Sequence, residues 1–274
     1  MPTEKKRILF IAHEMSPYLE LSEVADIVNK LAVKSNETGM EVRVIMPRFG
    51  VINERRHRLH EVVRLSGINV IIDNDDYPLI IKVASLPNAR LQVYFMDNDD
   101  YFKRKTVFHD EEDQWYADNA NRMVFFCKSA LETVKKFGWP PDLIVCSGWM
   151  SALVPMYLKT AYKKEPVFAH SKSVYLVQSP QFKDKLGPSF LPKARISNLV
   201  KEKDLEPYLA GTNAALNQGA TRYADAVIQA DDKAEKKLME ELQGAKGKRI
   251  LAYSKNSEDL EEYMEFFEKL LSNG

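Results

Sequence analysis

The sequence contains little cysteine, and what it has is not arranged for disulfide or metal chemistry. Its 274 residues include two cysteines, Cys127 and Cys146, and neither lies in a CxxC spacing. A disulfide-stabilised scaffold or a cysteine-bound zinc ion would need more thiols at closer spacing. The sequence therefore predicts a protein of the reducing cytoplasm, in which Cys146 is a buried structural thiol.

An excess of either charge is also absent, because 39 lysines and arginines balance 39 aspartates and glutamates. Domains that bind nucleic acids, and surfaces that bind anionic lipids, usually carry a basic excess. The apolar run from Ile8 to Ala12 is too short for a membrane span or a signal-peptide core. We therefore expect neither a nucleic-acid partner nor a membrane partner.

Metal-binding patterns are missing as well. The acidic segments 73–76 and 97–100 lack the glycine and the glutamate that an EF-hand loop needs at fixed positions. His57 and His60 stand three residues apart, but no carboxylate–histidine signature surrounds them. The sequence predicts solvated turns at the acidic segments, no metal site and no cofactor.

Short apolar runs alternate with segments of helical periodicity, as in a parallel sheet covered by helices on both faces. The predicted strands are 7–12, 41–46, 142–146, 173–177 and 226–228. The predicted helices are 24–33, 119–137, 151–162, 213–223 and 233–242. Between 51 and 95, strand candidates at 68–72, 79–83 and 91–95 predict a β-rich insertion. The predicted fold class is α/β, a Rossmann-like doubly wound parallel sheet with this insertion.

The last part of the chain is predicted to stand apart from this alternation. We predict one domain over residues 1–243, followed by a linker and a C-terminal helix over 244–274. The linker is predicted at Gly244 to Lys248, and Ser257 is the predicted N-cap of the helix. Apolar residues from Leu260 to Leu271 follow one stripe of that helix, so we expect it to pack on the same domain.

Several segments carry motifs in a fixed order along the chain. They are Ile8 to Ala12 with Glu14, Pro17 and Tyr18; Val44 to Phe49; Asp97 to Arg104; Asp118 and Asn119 with the helix that follows; Gly138 to Ile144 with Trp149; and Gly219 with Tyr223 to Val227. Each motif is weak alone, but the ordered set is specific. It resembles the catalytic domain of glycogen and starch synthases, which belong to glycosyltransferase family 5 and have the GT-B fold.

The resemblance implies one half of a GT-B protein. It also implies retaining transfer of glucose from ADP-glucose to an α-1,4-glucan, without a metal. An open α/β sheet places its ligands at the carboxyl ends of the strands. The residues at the matching motif positions, and therefore the predicted substrate-binding candidates, are His13, Glu14, Glu20, Ser22, Glu23, Asp26, Ser147, Gly148, Trp149 and Gln178.

The sequence departs from the family at its functional positions. The family's first loop reads K-[TV]-G-G-L-x-D, and here Glu20, Ser22 and Glu23 replace its lysine and two glycines. Carboxylates facing a diphosphate would repel it, so Lys103, Arg104 or Lys105 would have to supply the positive charge. In place of the family's T-I-H-N-L histidine stands Gln178, which can hydrogen-bond a sugar hydroxyl but does not titrate near neutral pH.

These departures leave three hypotheses for the function. A full synthase continues into a second domain of similar size, whereas this chain ends after one predicted linker and one helix. We expect a degenerate relative without a catalytic residue, acting as a binding or regulatory protein for a glucan, a small metabolite or another protein. The second hypothesis is an active ADP-glucose-dependent synthase, completed by a second polypeptide. The third is a structural partner that docks through its C-terminal helix.

Two aromatic residues are further candidates for sugar binding. Trp115 and Tyr116 lie among acidic residues, and this setting predicts that they are more exposed than Trp149. Flat apolar rings suit the C–H edges of a sugar, so both are candidates for stacking on a glucan. Trp149 follows a buried strand and is at least as well explained by core packing.

Overall fold

A computed structural model describes residues 5–87, 89–234, 236–244, 247–254 and 260–272. Its strands are β1 Arg7–Ala12, β2 Glu41–Pro47, β3 His60–Glu61, β4 Ile68–Ile72, β5 Asp75–Ser85, β6 Gln92–Asp97, β7 Leu143–Ser147, β8 Lys172–Val177, β9 Ala226–Gln229 and β10 Arg249–Leu251. The strand order is β10-β9-β8-β7-β1-β2-β6-β5-β3, and β4 pairs with β5 beside this path.

The centre of the sheet is parallel and buried. β1 pairs in parallel with β2 on one side and with β7 on the other, and β8, β9 and β10 continue in the same direction. All five residues from Ile8 to Ala12 are at most 1% exposed. Continuous apolar runs of this kind are typical of strands that helices cover on both faces. The predicted α/β fold class is confirmed.

The β-rich segment between 51 and 95 is part of the same sheet. β6 pairs in parallel with β2, and β5 returns antiparallel to β6. β3 and β4 both pair antiparallel with β5. The predicted strands are present, and they extend the main sheet at one edge by an antiparallel ladder.

The helices are α1 Val24–Glu37, α2 Glu54–His57, α3 Asp99–Phe102, α4 Asn119–Phe137, α5 Val154–Lys159, α6 Phe190–Ala194, α7 Glu202–Leu205, α8 Asn213–Tyr223, α9 Lys236–Gly244 and α10 Glu261–Ser272. In the described part of the chain, none is long and apolar enough to cross a membrane. The predicted bounds of α4 and α8 are confirmed.

One local prediction is wrong, and one strand was not predicted. Residues 151–162 do not form one helix: a 3-10 turn at Trp149–Ser151 precedes the short α5. Pro155 lies at the start of α5, where its missing N–H and fixed φ are tolerated, and this explains why the helix begins only there. The predicted linker is followed by β10, which pairs with β9 but is too short to give a sequence signal. Ser257 lies outside the described residues.

The helix α10 lies against the domain through its apolar stripe. Tyr263, Met264, Phe267 and Leu270 are at most 4% exposed. The Ser35 hydroxyl of α1 lies 3.7 Å from the Met264 sulfur, and Lys172 of β8 donates to the Leu270 carbonyl at 2.6 Å. The division of the chain at residue 243 stays a prediction, because these contacts describe only how the helix is packed.

We expect Phe267→Ala to lower the free energy of unfolding by about 3–5 kcal/mol, since it removes a fully buried ring and leaves a cavity. The matched control is the adjacent Phe266→Ala, because Phe266 is only partly buried on the same helix. Urea unfolding of both variants measures the difference. Equal losses for the two variants would show that α10 is not held to the domain by this face.

Candidate functional site

The loops that follow β1, β7 and β8 meet at the carboxyl edge of the sheet. His13 and Glu14 follow β1, Gly148 and Trp149 follow β7, and Gln178 follows β8. Parallel strands bring such residues together because their carboxyl ends lie at one edge. The structure thus assembles the predicted candidates from three distant segments into one region.

Gln181 connects these three loops, and the sequence analysis missed it. Its side-chain oxygen accepts from the Trp149 backbone N–H at 3.0 Å. Its side-chain nitrogen lies 3.1 Å from His13 Nε2 and 3.3 Å from Glu14 Oε1. One amide therefore holds the loops after β1, β7 and β8 in fixed relation. Gln181 is 168 residues away from His13 in the sequence, so no local motif indicates that the two side chains are in contact.

His13 is fully buried and does not line an open surface. Burial lowers the pKa of its imidazole, and the nearby Glu14 carboxylate only partly opposes this shift, so the ring is neutral near pH 7. If His13 Nε2 accepts from the Gln181 amide, the proton of the neutral ring is on Nδ1. Nδ1 has no hydrogen-bond partner among the described residues. The ring packs directly against Gly148, whose φ is +80°.

Glu14 holds the loop of residues 20–26, which matches the position of the family's first-loop motif. Its carboxylate accepts from the backbone N–H groups of Leu21 and Ser22, both at 2.8 Å, and from the Ser22 hydroxyl at 2.7 Å. Glu20 instead accepts from the Ser16 hydroxyl at 2.6 Å. The backbone donors at Leu21 and Ser22 are thus already satisfied by a carboxylate of the chain itself.

The other predicted residues of this region are buried. Ser147 is 2% exposed, Trp149 is fully buried and Gln178 is 3% exposed. Both polar atoms of the Gln178 amide lack a hydrogen-bond partner among the described residues. The buried indole of Trp149 lies within an aromatic cluster, with its ring centroid 5.0 Å from Phe108 and 5.1 Å from Phe182.

Trp115 and Tyr116 are partly buried, and both are more exposed than the fully buried Trp149, as predicted. Trp115 is partly buried and stacks on Phe182, with ring centroids 4.9 Å apart. Tyr116 is also partly buried, and its ring lies under the guanidinium of Arg104 at 4.3 Å. Phe182, which is distant in sequence, covers part of the Trp115 ring, and the Arg104 guanidinium covers part of the Tyr116 ring.

An open cavity of about 570 Å³ lies beside this buried region, and we call it the acidic cavity. It is lined by Ser22, Glu23, Val24, Asp26, Ile27, Ser179, Ala230, Asp231, Asp232, Lys233 and Tyr253. Of the predicted candidates, Ser22, Glu23 and Asp26 line it. Asp231 and Asp232 were not among the predicted candidates. They follow the predicted strand β9, and ligands of an open α/β sheet bind at the carboxyl ends of its strands, so the sequence could have indicated them.

The charges of the acidic cavity do not balance. Among the described residues that line it, four are carboxylates and one, Lys233, is an ammonium. Two of the carboxylates have partners: Asp26 pairs with Lys30 at 2.7 Å, and Asp231 accepts from the Ser179 N–H and hydroxyl at 2.7 and 3.0 Å. Among the residues that the structure describes, no group of three potential ligands is placed to hold a metal ion.

An open parallel sheet with a polar cavity at the carboxyl ends of its strands defines the Rossmann-like class of ligand-binding domains. The family described as "Starch synthase catalytic domain" matches residues 7–253. The chain therefore belongs to the starch synthase catalytic domain family, as the motifs predicted.

Curated relatives and a solved structure agree with this assignment. A glycogen synthase of Chlorobium limicola is 34% identical over 221 residues, which are 80% of this chain and 44% of the relative. A glycogen synthase of Chlorobaculum tepidum is 33% identical over 236 residues, 86% of this chain and 48% of the relative. The chain thus spans about half the length of the curated relatives it matches.

The fold is shared with a solved synthase domain. The catalytic domain of starch synthase IV from Arabidopsis thaliana, bound to ADP and acarbose, superimposes with a TM-score of 0.74 at 18% identity. The match covers 93% of this chain and 52% of that chain. The chain therefore has the fold of one half of a GT-B glycosyltransferase.

Proposed function

We propose that this glycogen synthase-like domain does not transfer glucose by itself and acts as a binding or regulatory domain. The acidic cavity supports this proposal, because Ser22, Glu23 and Asp26 line it and the resemblance implies sugar-nucleotide binding near these motif positions. The described residues that line it include four carboxylates and one ammonium, an excess of negative charge. The ligand we propose is an α-glucan, a small metabolite or a protein partner.

The charge excess works against a nucleotide diphosphate. Two like unit charges 4 Å apart repel by about 1 kcal/mol in water, and more where solvent is partly excluded. The backbone N–H groups of Leu21 and Ser22 cannot offset this repulsion, since both donate to Glu14. A neutral glucan does not meet this repulsion, because its hydroxyl groups carry no charge.

The cations that the sequence analysis named as substitutes are already paired. Lys103 lies 3.0 Å from Asp99, and Lys105 lies 3.0 Å from Glu111. Arg104 donates to both oxygens of the Asp118 carboxylate, at 2.8 and 2.5 Å. Recruiting any of them for a phosphate would break an existing ion pair.

The second candidate function is an active ADP-glucose-dependent synthase, completed by a second polypeptide. Membership of the starch synthase family supports it, together with the likeness to glycogen synthases. This candidate requires that ADP-glucose bind the chain or its complex, despite the acidic cavity.

A thermal-shift comparison of maltoheptaose with ADP-glucose separates the two functions. A ligand that binds only the folded chain raises its melting temperature, so millimolar ligand reports even weak sites. We expect maltoheptaose to raise the melting temperature and ADP-glucose to leave it unchanged. A shift with ADP-glucose would favour the active synthase. No shift with either would remove the glucan-binding form of the proposal.

We also place the domain in the cytoplasm, without a nucleic-acid partner. Cys127 and Cys146 are free and fully buried, and burial raises the pKa of both thiols, so neither is poised to react. The balanced charge of the chain supports the absence of a nucleic-acid partner.

A further inference from the structure

A second polar cavity lies at the opposite edge of the sheet, where β2 and β6 begin. We call it the basic pocket; its volume is about 370 Å³, and it is lined by Arg43, Arg64, Leu65, Gln92, Tyr94, Lys136 and Phe137. Arg43 and Gln92 are paired in the β2–β6 register near the amino ends of both strands. The basic pocket is therefore separate from the acidic cavity at the carboxyl ends.

The basic pocket concentrates positive charge in a chain whose net charge is zero. Three of its lining residues are cations, and none of the described residues that line it is a carboxylate. The acidic cavity shows the reverse imbalance. The two cavities thus differ in the sign of their charge, and an anion is the ligand that matches the charge of the basic pocket.

Arg43 is held in place by aromatic rings. Its guanidinium carbon lies 4.8 Å from the ring centre of Phe137 and 4.6 Å from that of Trp139. The Glu41 carboxylate lies 3.7 Å from the Arg43 guanidinium, but it also accepts from the Trp139 indole at 2.7 Å and pairs with Arg7 at 3.5 Å. A shared carboxylate at this distance leaves donors of Arg43 free for a ligand.

The other polar groups keep donors available as well. Lys136 comes from the last turn of α4 and donates to the carbonyls of Leu65 and Ser66 at 3.2 and 3.3 Å. An ammonium has three donors, so one remains. The Tyr94 hydroxyl donates to the Gln92 oxygen at 2.7 Å, which leaves the Gln92 amide nitrogen as a donor.

Arg43, Arg64 and Lys136 line the basic pocket together with Tyr94. Burial raises the pKa of the Tyr94 hydroxyl, the charges of Arg43 and Arg64 oppose that rise, and the Glu41 carboxylate adds to it. Arg64 itself is exposed, so its side chain can close over a ligand without losing buried contacts.

We propose that the basic pocket binds a phosphate group, either as inorganic phosphate or as the phosphate of a small metabolite. Guanidinium groups match phosphate oxygens through paired hydrogen bonds, and an ammonium adds a compact charge. The volume lies within the range of about 300–1,000 Å³ that is usual for small-ligand sites. This site lies apart from the acidic cavity, so it stands whether or not the proposed function holds.

Titration calorimetry with inorganic phosphate, at constant ionic strength set by chloride, tests the site. We expect saturable binding to the full chain, about tenfold weaker for Arg64→Gln because a charged hydrogen bond is lost. The control is Arg55→Gln, which removes the same charge from an exposed position outside the described cavities. Lys136→Gln is the second test variant, with the same expected loss.

Two results would overturn the proposal: no binding of phosphate beyond that of chloride, or equal weakening by Arg64→Gln and Arg55→Gln. Glucose 1-phosphate, titrated in parallel, distinguishes the sources of the phosphate. Tighter binding than that of inorganic phosphate supports a phosphorylated metabolite, and equal binding supports phosphate itself. Circular dichroism of each variant verifies that it is folded.

Discussion

Replacing Gly148 by alanine is expected to lower the free energy of unfolding by about 3 kcal/mol or more, from overpacking and an unfavourable positive φ. The added Cβ would lie 2.0 Å from Cε1 and Nδ1 of His13, and Gly148 has a φ of +80°. His13 cannot move aside easily, because it is fully buried and lies 3.1 Å from the Gln181 amide.

Gly138→Ala is the matched control for this variant. Its φ of +59° is also positive, but nothing lies within 4 Å of the position its Cβ would take. Its loss is therefore confined to backbone strain, about 1 kcal/mol. Adding His13→Ala to Gly148→Ala should restore part of the lost stability, since it removes the clash. Equal losses for the two glycine variants in urea unfolding would contradict the close contact of His13 with Gly148.

The second large effect is expected from reversing charge in the acidic cavity. Glu23 and Asp232 both line the cavity and are exposed, so Glu23→Lys with Asp232→Lys changes its charge without disturbing the core. We expect ADP to bind about a hundredfold more tightly at low salt, given about 1 kcal/mol per unit charge pair in water. The gain should shrink as salt screens the charges.

The matched control carries Glu240→Lys and Glu268→Lys, two exposed glutamates on α9 and α10 that do not line the cavity. It has the same net charge as the test variant and should bind ADP as the wild type does. Titration calorimetry at low and high sodium chloride concentration measures both variants. The same gain in test and control would mean that overall charge, and not the acidic cavity, governs nucleotide affinity.

The sequence predicted the elements with strong, uninterrupted patterns. β1 and β4 have the predicted bounds because their apolar runs end at charged or turn residues, and α4 because it is long and closed by Gly138. β10 has only three residues, which are too few to show the alternation or the apolar run that predicts a strand. The prediction of one helix over 151–162 was wrong because it followed the helical periodicity and did not take Pro155 into account. Pro155 determines where α5 begins.

The candidate site was predictable in its position but not in its contacts. The ordered motifs located His13, Gly148 and Gln178 at the carboxyl edge of the sheet, as the structure has them. The role of Gln181 depends on loops that meet only in the folded chain. The charge of the acidic cavity likewise combines Glu23 with Asp232, which lie far apart in sequence.

The central claim is that the acidic cavity does not accept a sugar nucleotide, and titration of the wild-type chain with ADP-glucose tests it most directly. The double variant Arg64→Gln with Lys136→Gln is titrated in parallel, so that binding at the basic pocket is recognised. We predict that binding does not saturate at 1 mM ADP-glucose. This result corresponds to a free energy of binding weaker than about −4 kcal/mol. Saturable binding below 1 mM in both proteins, weakening as salt rises, would contradict the account and indicate a functional nucleotide site.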